Sequence, residues 1–174
     1  MSLPERIRAA IQDVPDFPKP GIIFKDITPM LSNGPLFQEF VKHLADRYRS
    51  ANVSQVVGIE SRGFILGAPL AHELGVGFSL IRKPGKLPRP TRSVTYALEY
   101  GTDTLTMHAD ALSKGERVVL VDDVLATGGT AAAACELVES CGAILHEITF
   151  LMELSFLDGR SRLGDRSLHS VLTY

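Results

Sequence analysis

The sequence predicts an α/β fold: a mostly parallel central sheet flanked by helices, with a small N-terminal hood and an appended flexible β-hairpin loop. Three observations predict it. Short apolar, β-branched runs alternate with longer segments of helical period, the order that builds a parallel sheet covered on both faces. Glycines follow two of the helical segments, Gly75 and Gly142, in the usual C-terminal position. Two alternating runs stand side by side between the second and third sheet strands, as an antiparallel hairpin would.

The elements follow in chain order. The Pro-rich start "VPDFPKPGIIF" is too rigid and apolar for a linker and reads as a hood segment packed over something. "PLFQEFVKHLADRYR" places Phe37, Phe40, Val41, Leu44 and Tyr48 on one helical face, with Pro35 suited to the first turn. "QVVGIE" (Gln55 to Glu60) is the first sheet strand, leading through "SRG" into the apolar helix "FILGAPLAHEL". "GFSLIR" (Gly77 to Arg82) is the second. The hairpin is "SVTYALEY" and "DTLTMHAD", joined across Gly101-Thr102. "VVLV" (Val118 to Val121) is the third strand, "GTAAAACELVESC" a helix and "AILHEITFLME" (Ala143 to Glu153) the fourth strand. One domain over 1–174 is expected, with a hood of about 1–34 and a core of about 35–174.

Composition excludes several classes. The 174 residues are 45% hydrophobic and 22% charged, as in soluble globular proteins. No apolar run approaches a membrane span, and the N-terminus shows no secretory signal pattern. Net charge of −2 argues against a general nucleic-acid binder. Cys135 and Cys141 fall six apart in a helical segment, about 600° of rotation, so they should not form a disulfide. A reduced, cytoplasmic setting is the default. The histidines lack metal-ligand spacing, His108 and His146 read as strand residues, and no protein-only metal site is expected.

In an open parallel sheet, ligands bind outside the carboxyl ends of the strands. "ESRG", "RKPGK" and "DDVLATGGT" all fall there. In "ATGGT" (Ala126 to Thr130), Gly128 and Gly129 permit positive φ, so several N–H groups can turn toward one point at a helix N-terminus. With the Thr127 and Thr130 hydroxyls they form a site for one phosphate monoester. The loop lacks the lysine of G-x-x-x-x-G-K-[ST]. A plain strand-to-helix turn accounts for one glycine but poorly for T-G-G-T. Asp122 and Asp123 accept hydrogen bonds only, and the vicinal hydroxyls of a ribose are donors. A water-linked or metal-bound pair of acids is the alternative. Neighbouring side chains on an extended backbone diverge, so the two acids have different tasks. "RKPGKLPRPTR" (Arg82 to Arg92) holds five basic residues and no acidic one, and a solvated loop or an RNA patch is its plain reading.

"VVLVDDVLATGGT" closely resembles the phosphoribosyl-pyrophosphate (PRPP) motif of the type I phosphoribosyltransferases. "DFPKPGIIFKDITPML", "VGIESRGFILGAPLA", "IRKPGKLP", "YALEYGTDTL" and "DDVLATGGTAAAACEL", in this order over nearly the whole chain, resemble the adenine-specific members of that family. Only the C-terminal end carries little signal.

The resemblance implies that adenine and PRPP give AMP and pyrophosphate, a purine salvage reaction, with Mg²⁺ carried on the PRPP oxygens. It implies pyrophosphate binding by Ser61, Arg62, Arg82, Lys83 and Lys86, and a flexible catalytic loop over about 83–98, where Gly85 and Pro88 suit closure over substrate. It places a non-proline cis peptide around Glu60-Ser61. Asp122, Asp123, Ala126, Thr127, Gly128, Gly129 and Thr130 would hold ribose 5-phosphate. Glu99 in "ALEYG" would be the general base; without the resemblance it reads as an exposed hairpin charge. The Ile23 backbone would read the adenine edge, with Phe24 and Leu154 sandwiching the ring, although both also suit ordinary core packing. Lys25 would join the adenine site, contributing charge without the base contact of the arginine that some family members carry there, whose planar fork lysine lacks. A homodimer is implied. Competing readings are a phosphoribosyltransferase for xanthine or hypoxanthine, against which the hood and "ALEYG" speak, and a PRPP-sensing regulator, for whose DNA-binding domain the chain has no room.

Overall fold

The computed structural model describes residues 1–98 and 100–174; Glu99 lies outside the described residues. Met1–Asp46 form one compact unit and Arg47–Tyr174 a second.

In the first unit, α1 (Leu3–Ala10) opens with a capping box: the Ser2 side chain accepts from the Glu5 N–H, and the Glu5 carboxylate accepts from the Ser2 N–H at 2.6 Å. The Pro-rich stretch turns back on itself as an antiparallel pair, β1 (Gln12–Pro15) and β2 (Ile23–Asp26), with Val14 opposite Phe24. Lys25 pairs with Asp13 at 2.7 Å, and the Phe17 ring meets Phe24 edge-on at 5.2 Å. α2 (Thr28–Ser32) carries a proline in its first turn. α3 (Gly34–Tyr48) buries Leu36, Phe40, Val41, Leu44 and Tyr48 at helical spacing, nearly the expected face.

The second unit is built on a sheet of order β4-β3-β7-β8-β9, parallel throughout. Its elements are β3 (Gln55–Ile59), α4 (Arg62–Leu74), β4 (Gly77–Ile81), β5 (Thr91–Ala97), β6 (Thr102–His108), β7 (Arg117–Leu125), α5 (Gly129–Ser140), β8 (Ile144–Glu153) and β9 (Leu168–Thr173). α4 packs on β3 and β7. Val57, Ile59, Leu120, Ile148 and Phe150 of the sheet join Ala134, Leu137 and Val138 of α5 in one buried cluster, to which β6 adds Leu105 and Met107. β5 and β6 pair antiparallel, and reciprocal backbone bonds between Arg82 and Thr106 (2.9 and 2.8 Å) fasten β6 to the end of β4.

Besides α1, which the sequence reading did not anticipate, three elements differ from expectation. β7 does not stop at Val121: pairing with β8 continues to Leu125 opposite Glu153, so Asp122 and Asp123 are strand residues. β5 ends at Ala97 and β6 begins at Thr102, earlier than expected, with the Leu98 N–H donating to the Gly101 carbonyl at 3.0 Å between them. β9, unforeseen, extends the sheet beyond β8. Both cysteines are free, as expected.

Candidate active site

The carboxyl ends of β3, β4 and β7 open onto a cavity of about 340 Å³, within the usual size of small-ligand sites. It gathers Ser61, Arg62, Lys83, Asp122, Asp123 and the loop residues Ala126, Thr127, Gly128 and Thr130. Three segments separated by 20 to 40 positions thus supply hydroxyls, cations, acids and a turned backbone to one space.

Close backbone approach shapes the floor. α4 starts at Arg62, so "SRG" forms the entry to that helix, and the Glu60-Ser61 peptide is cis. A Cβ at Gly63 would stand 2.6 Å from the Val121 carbonyl oxygen, which lets the start of α4 lie against β7. Gly128 has φ +85°, and a Cβ there would collide with the Gly159 carbonyl. The turn Gly159–Leu163 therefore backs the phosphate-type loop. That turn is tied down by Arg160, whose guanidinium forks onto the buried Glu153 at 2.6 and 2.7 Å. Arg160 and, after it, burial and Ser170 set the Glu153 carboxyl, and the net direction is below the usual range.

The two acids differ, as alternation along a strand requires. Asp123 is buried and forms an ion pair with Arg62. Asp122 keeps part of its surface open to the cavity and accepts from the Asp123 N–H at 2.9 Å. Its carboxyl is nonetheless enclosed, and desolvation together with the Asp123 charge pushes its pKa well above the ordinary range.

At the end of β3, Glu60 accepts from Arg82 at 3.0 Å and from the Lys83 N–H at 2.9 Å, which anchors the start of the basic arm. The Arg82 hydrogen bond, then the Lys83 N–H, hold the Glu60 carboxyl below its usual range. Arg82 also donates to the Lys86 carbonyl at 3.3 Å. Lys86 is exposed, and neither it nor Arg82 lines the cavity; Gly129 faces a neighbouring recess with Tyr96 and Arg162. Ile23, Phe24 and Lys25 belong to the first unit, and Leu154 follows β8, half-buried. Asp103 and Tyr96, which sequence reasoning missed, join Lys83 to Thr130 from outside the cavity. No local pattern marks contacts of that separation.

The phosphoribosyl transferase domain family matches residues 29–165. The chain is 58% identical to an adenine phosphoribosyltransferase of Roseiflexus sp. (strain RS-1), over 94% of this chain and 95% of that one. It is similar to the crystal structure of adenine phosphoribosyltransferase from Thermoanaerobacter pseudethanolicus, with TM-score 0.96 and 50% identity, covering 99% of this chain and 100% of that one. The Saccharomyces cerevisiae enzyme, complexed with adenine and an imino-altritol bisphosphate, aligns with TM-score 0.93 and 42% identity, covering 98% of each chain.

Proposed function

The chain belongs to the adenine phosphoribosyltransferase family, and from that membership we infer the work of the cavity: transfer of the 5-phosphoribosyl group of PRPP to adenine, giving AMP and pyrophosphate. One observation carries the assignment of the site. Ala126, Thr127, Gly128 and Thr130 of the loop, the acids Asp122 and Asp123, and the cations Arg62 and Lys83 meet around a single space.

In this assignment the 5′-phosphate accepts from backbone N–H groups of Ala126, Thr127, Gly128, Gly129 and Thr130 and from the two threonine hydroxyls, where the N-terminus of α5 adds positive potential. Asp122 and Asp123 accept from the ribose hydroxyls and place negative charge beneath C1 as it gains oxocarbenium character. Ser61 and Arg62, with Arg82, Lys83 and Lys86 of the arm, receive the pyrophosphate. Mg²⁺ arrives on the PRPP oxygens. The cavity acids suit that: one is paired with Arg62 and one is half-buried, too few for a protein cage but able to face an ion that brings its own phosphate ligands. When bound, the ion neutralises charge on the departing pyrophosphate.

The C1–O bond to pyrophosphate breaks as the C1–N9 bond to adenine forms, and the ring proton leaves N7 for Glu99. That role rests on the "YALEYG" resemblance. The Ile23 backbone donates to N1 and accepts from the N6 amine, Phe24 and Leu154 bracket the ring, and Lys25 contributes charge. Hypoxanthine presents the opposite edge, at about 1–3 kcal/mol for each unsatisfied group. The proposal extends to one functional domain with a flexible loop over about 83–98, a cytoplasmic location and a homodimer, for which sedimentation should find two chains per particle; a monomer at working concentration would exclude it. Among the described residues, no helix is long and apolar enough to cross a membrane.

The test is pyrophosphate release with each purine base, by the wild type and by Glu99→Gln. Adenine should be the preferred base, and the variant should lose at least tenfold in kcat, a floor set below the about 10²–10⁴ that a positioned base is typically worth. Turnover of hypoxanthine but not adenine would refute the base assignment; wild-type turnover by the variant would remove Glu99 from the mechanism.

A further inference from the structure

Four side chains from four segments are linked beside the cavity. Lys83, in the arm after β4, forms an ion pair with Asp103 of β6. Tyr96 of β5 donates its hydroxyl to the same carboxylate at 3.2 Å, and its oxygen lies 3.1 Å from Oγ1 of Thr130 on α5. Lys83 and Thr130 line the cavity, whereas Asp103 and Tyr96 do not. The ends of the linkage thus face the ligand, and its middle members stand behind them.

The donor inventory fixes the direction of each bond. Lys83 has three N–H donors, so even with Asp103 and the Tyr96 oxygen beside it one remains for a phosphate. Asp103 is held ionised, first by the Lys83 hydrogen bond, so it only accepts, and Tyr96 must donate to it. Thr130 is then the donor to the Tyr96 oxygen. When a phosphate arrives, the threonine hydroxyl can turn toward it while Tyr96 keeps its bond to Asp103.

We propose that Asp103 and Tyr96 are positioning residues for PRPP: Asp103 holds the Lys83 ammonium at the cavity wall, and Tyr96 ties that ion pair to the 5′-phosphate loop. The inference rests on the reading of this cavity as the PRPP site. Two effects oppose each other. The Asp103 charge repels a polyanion, but it lies behind Lys83 and is partly exposed, so solvent and salt weaken its reach. Anchoring acts locally: a lysine already held has fewer rotamers to lose when pyrophosphate binds. Anchoring wins.

The experiment is steady-state AMP formation by the wild type, Asp103→Asn, Asp103→Glu, Tyr96→Phe and the Asp103→Asn/Tyr96→Phe double variant. Asp103→Asn should raise the KM for PRPP about tenfold while kcat and the KM for adenine stay within about threefold. Asp103→Glu should recover most of that loss. Tyr96→Phe should raise the PRPP KM about threefold, and the double variant should fall short of the product of the two, because coupled residues are not additive. An unchanged or lowered PRPP KM in Asp103→Asn overturns the proposal. So does a rise in both substrate KM values together, the mark of general structural damage. If Asp103→Asn fails to fold, Tyr96→Phe decides alone, and an unchanged PRPP KM there is fatal. A wild type that makes no AMP would instead remove the reading of the cavity.

Discussion

Glu147 is a buried carboxylate whose side chain is surrounded by donors. Arg47 forks onto it at 2.6 and 2.8 Å, the Tyr48 hydroxyl donates at 2.7 Å and Ser167 at 2.9 Å. Burial pushes this carboxyl up, but the three donors outweigh it and bring the pKa from its ordinary 4.5 down to about 2. A folded-state pKa below the unfolded one means that the stabilisation is complete above the unfolded value and is lost as pH falls toward 2. Its size is on the order of 3 kcal/mol, at 1.36 kcal/mol per unit. Glu147→Gln should therefore lower the urea midpoint at neutral pH by an amount equivalent to about 2–3 kcal/mol. The gap from wild type should close between pH 4.5 and about 2. Equal midpoints at neutral pH, or a gap that persists in acid, would contradict this. Nothing in "HEITF" announces such a residue, because its partners stand 99 and 100 positions earlier and 20 later.

Elements became legible in proportion to how locally their cause is written. β3 and β7 are buried on both faces and, with the partly buried edge strand β4, show as apolar runs, and α5 shows both its phosphate-type start and its terminal glycine. β9 was missed because "LHSVLT" at the sheet edge buries only Leu172 fully and reads like a polar tail. α1 was missed because it is only eight residues long and buries one side chain, Ile7, too short a stretch to stand out by its period. The end of β7 was misplaced for a physical reason: paired acids usually end an apolar strand, but ten residues of β8 continue to offer backbone partners. The site followed the same rule. The loop 126–130, "ESRG" and the arm are contiguous motifs and could be found, whereas the linkage through Asp103 and Tyr96 exists only once the hairpin is fastened to Arg82.

At the scale of the molecule, the net charge of −2 conceals a local concentration of opposite signs. Arg62 and Lys83 reach the cavity from two strand ends, facing the acids of a third, and every one of these groups belongs to the Arg47–Tyr174 unit. A ligand that bridges the loop 126–130 and those cations binds only the folded form, since the unfolded chain scatters its contacts over some seventy positions. Mass action then fixes the effect: at about 100 times its Kd, PRPP should stabilise by about 2.7 kcal/mol. For a chain of this length that corresponds to a rise in Tm of roughly 5–10 °C. Ribose 5-phosphate, which reaches the loop and the acids but leaves Arg62 and Lys83 without an anion, should give a smaller rise at equal concentration. Added salt should shrink the PRPP shift more than the ribose 5-phosphate shift, because more charge is matched in the former. Scanning calorimetry with the two ligands at low and high salt reads all four values. Equal shifts from both ligands would mean that the strand-end cations take no part in binding, and no shift from PRPP would place its site elsewhere on the chain.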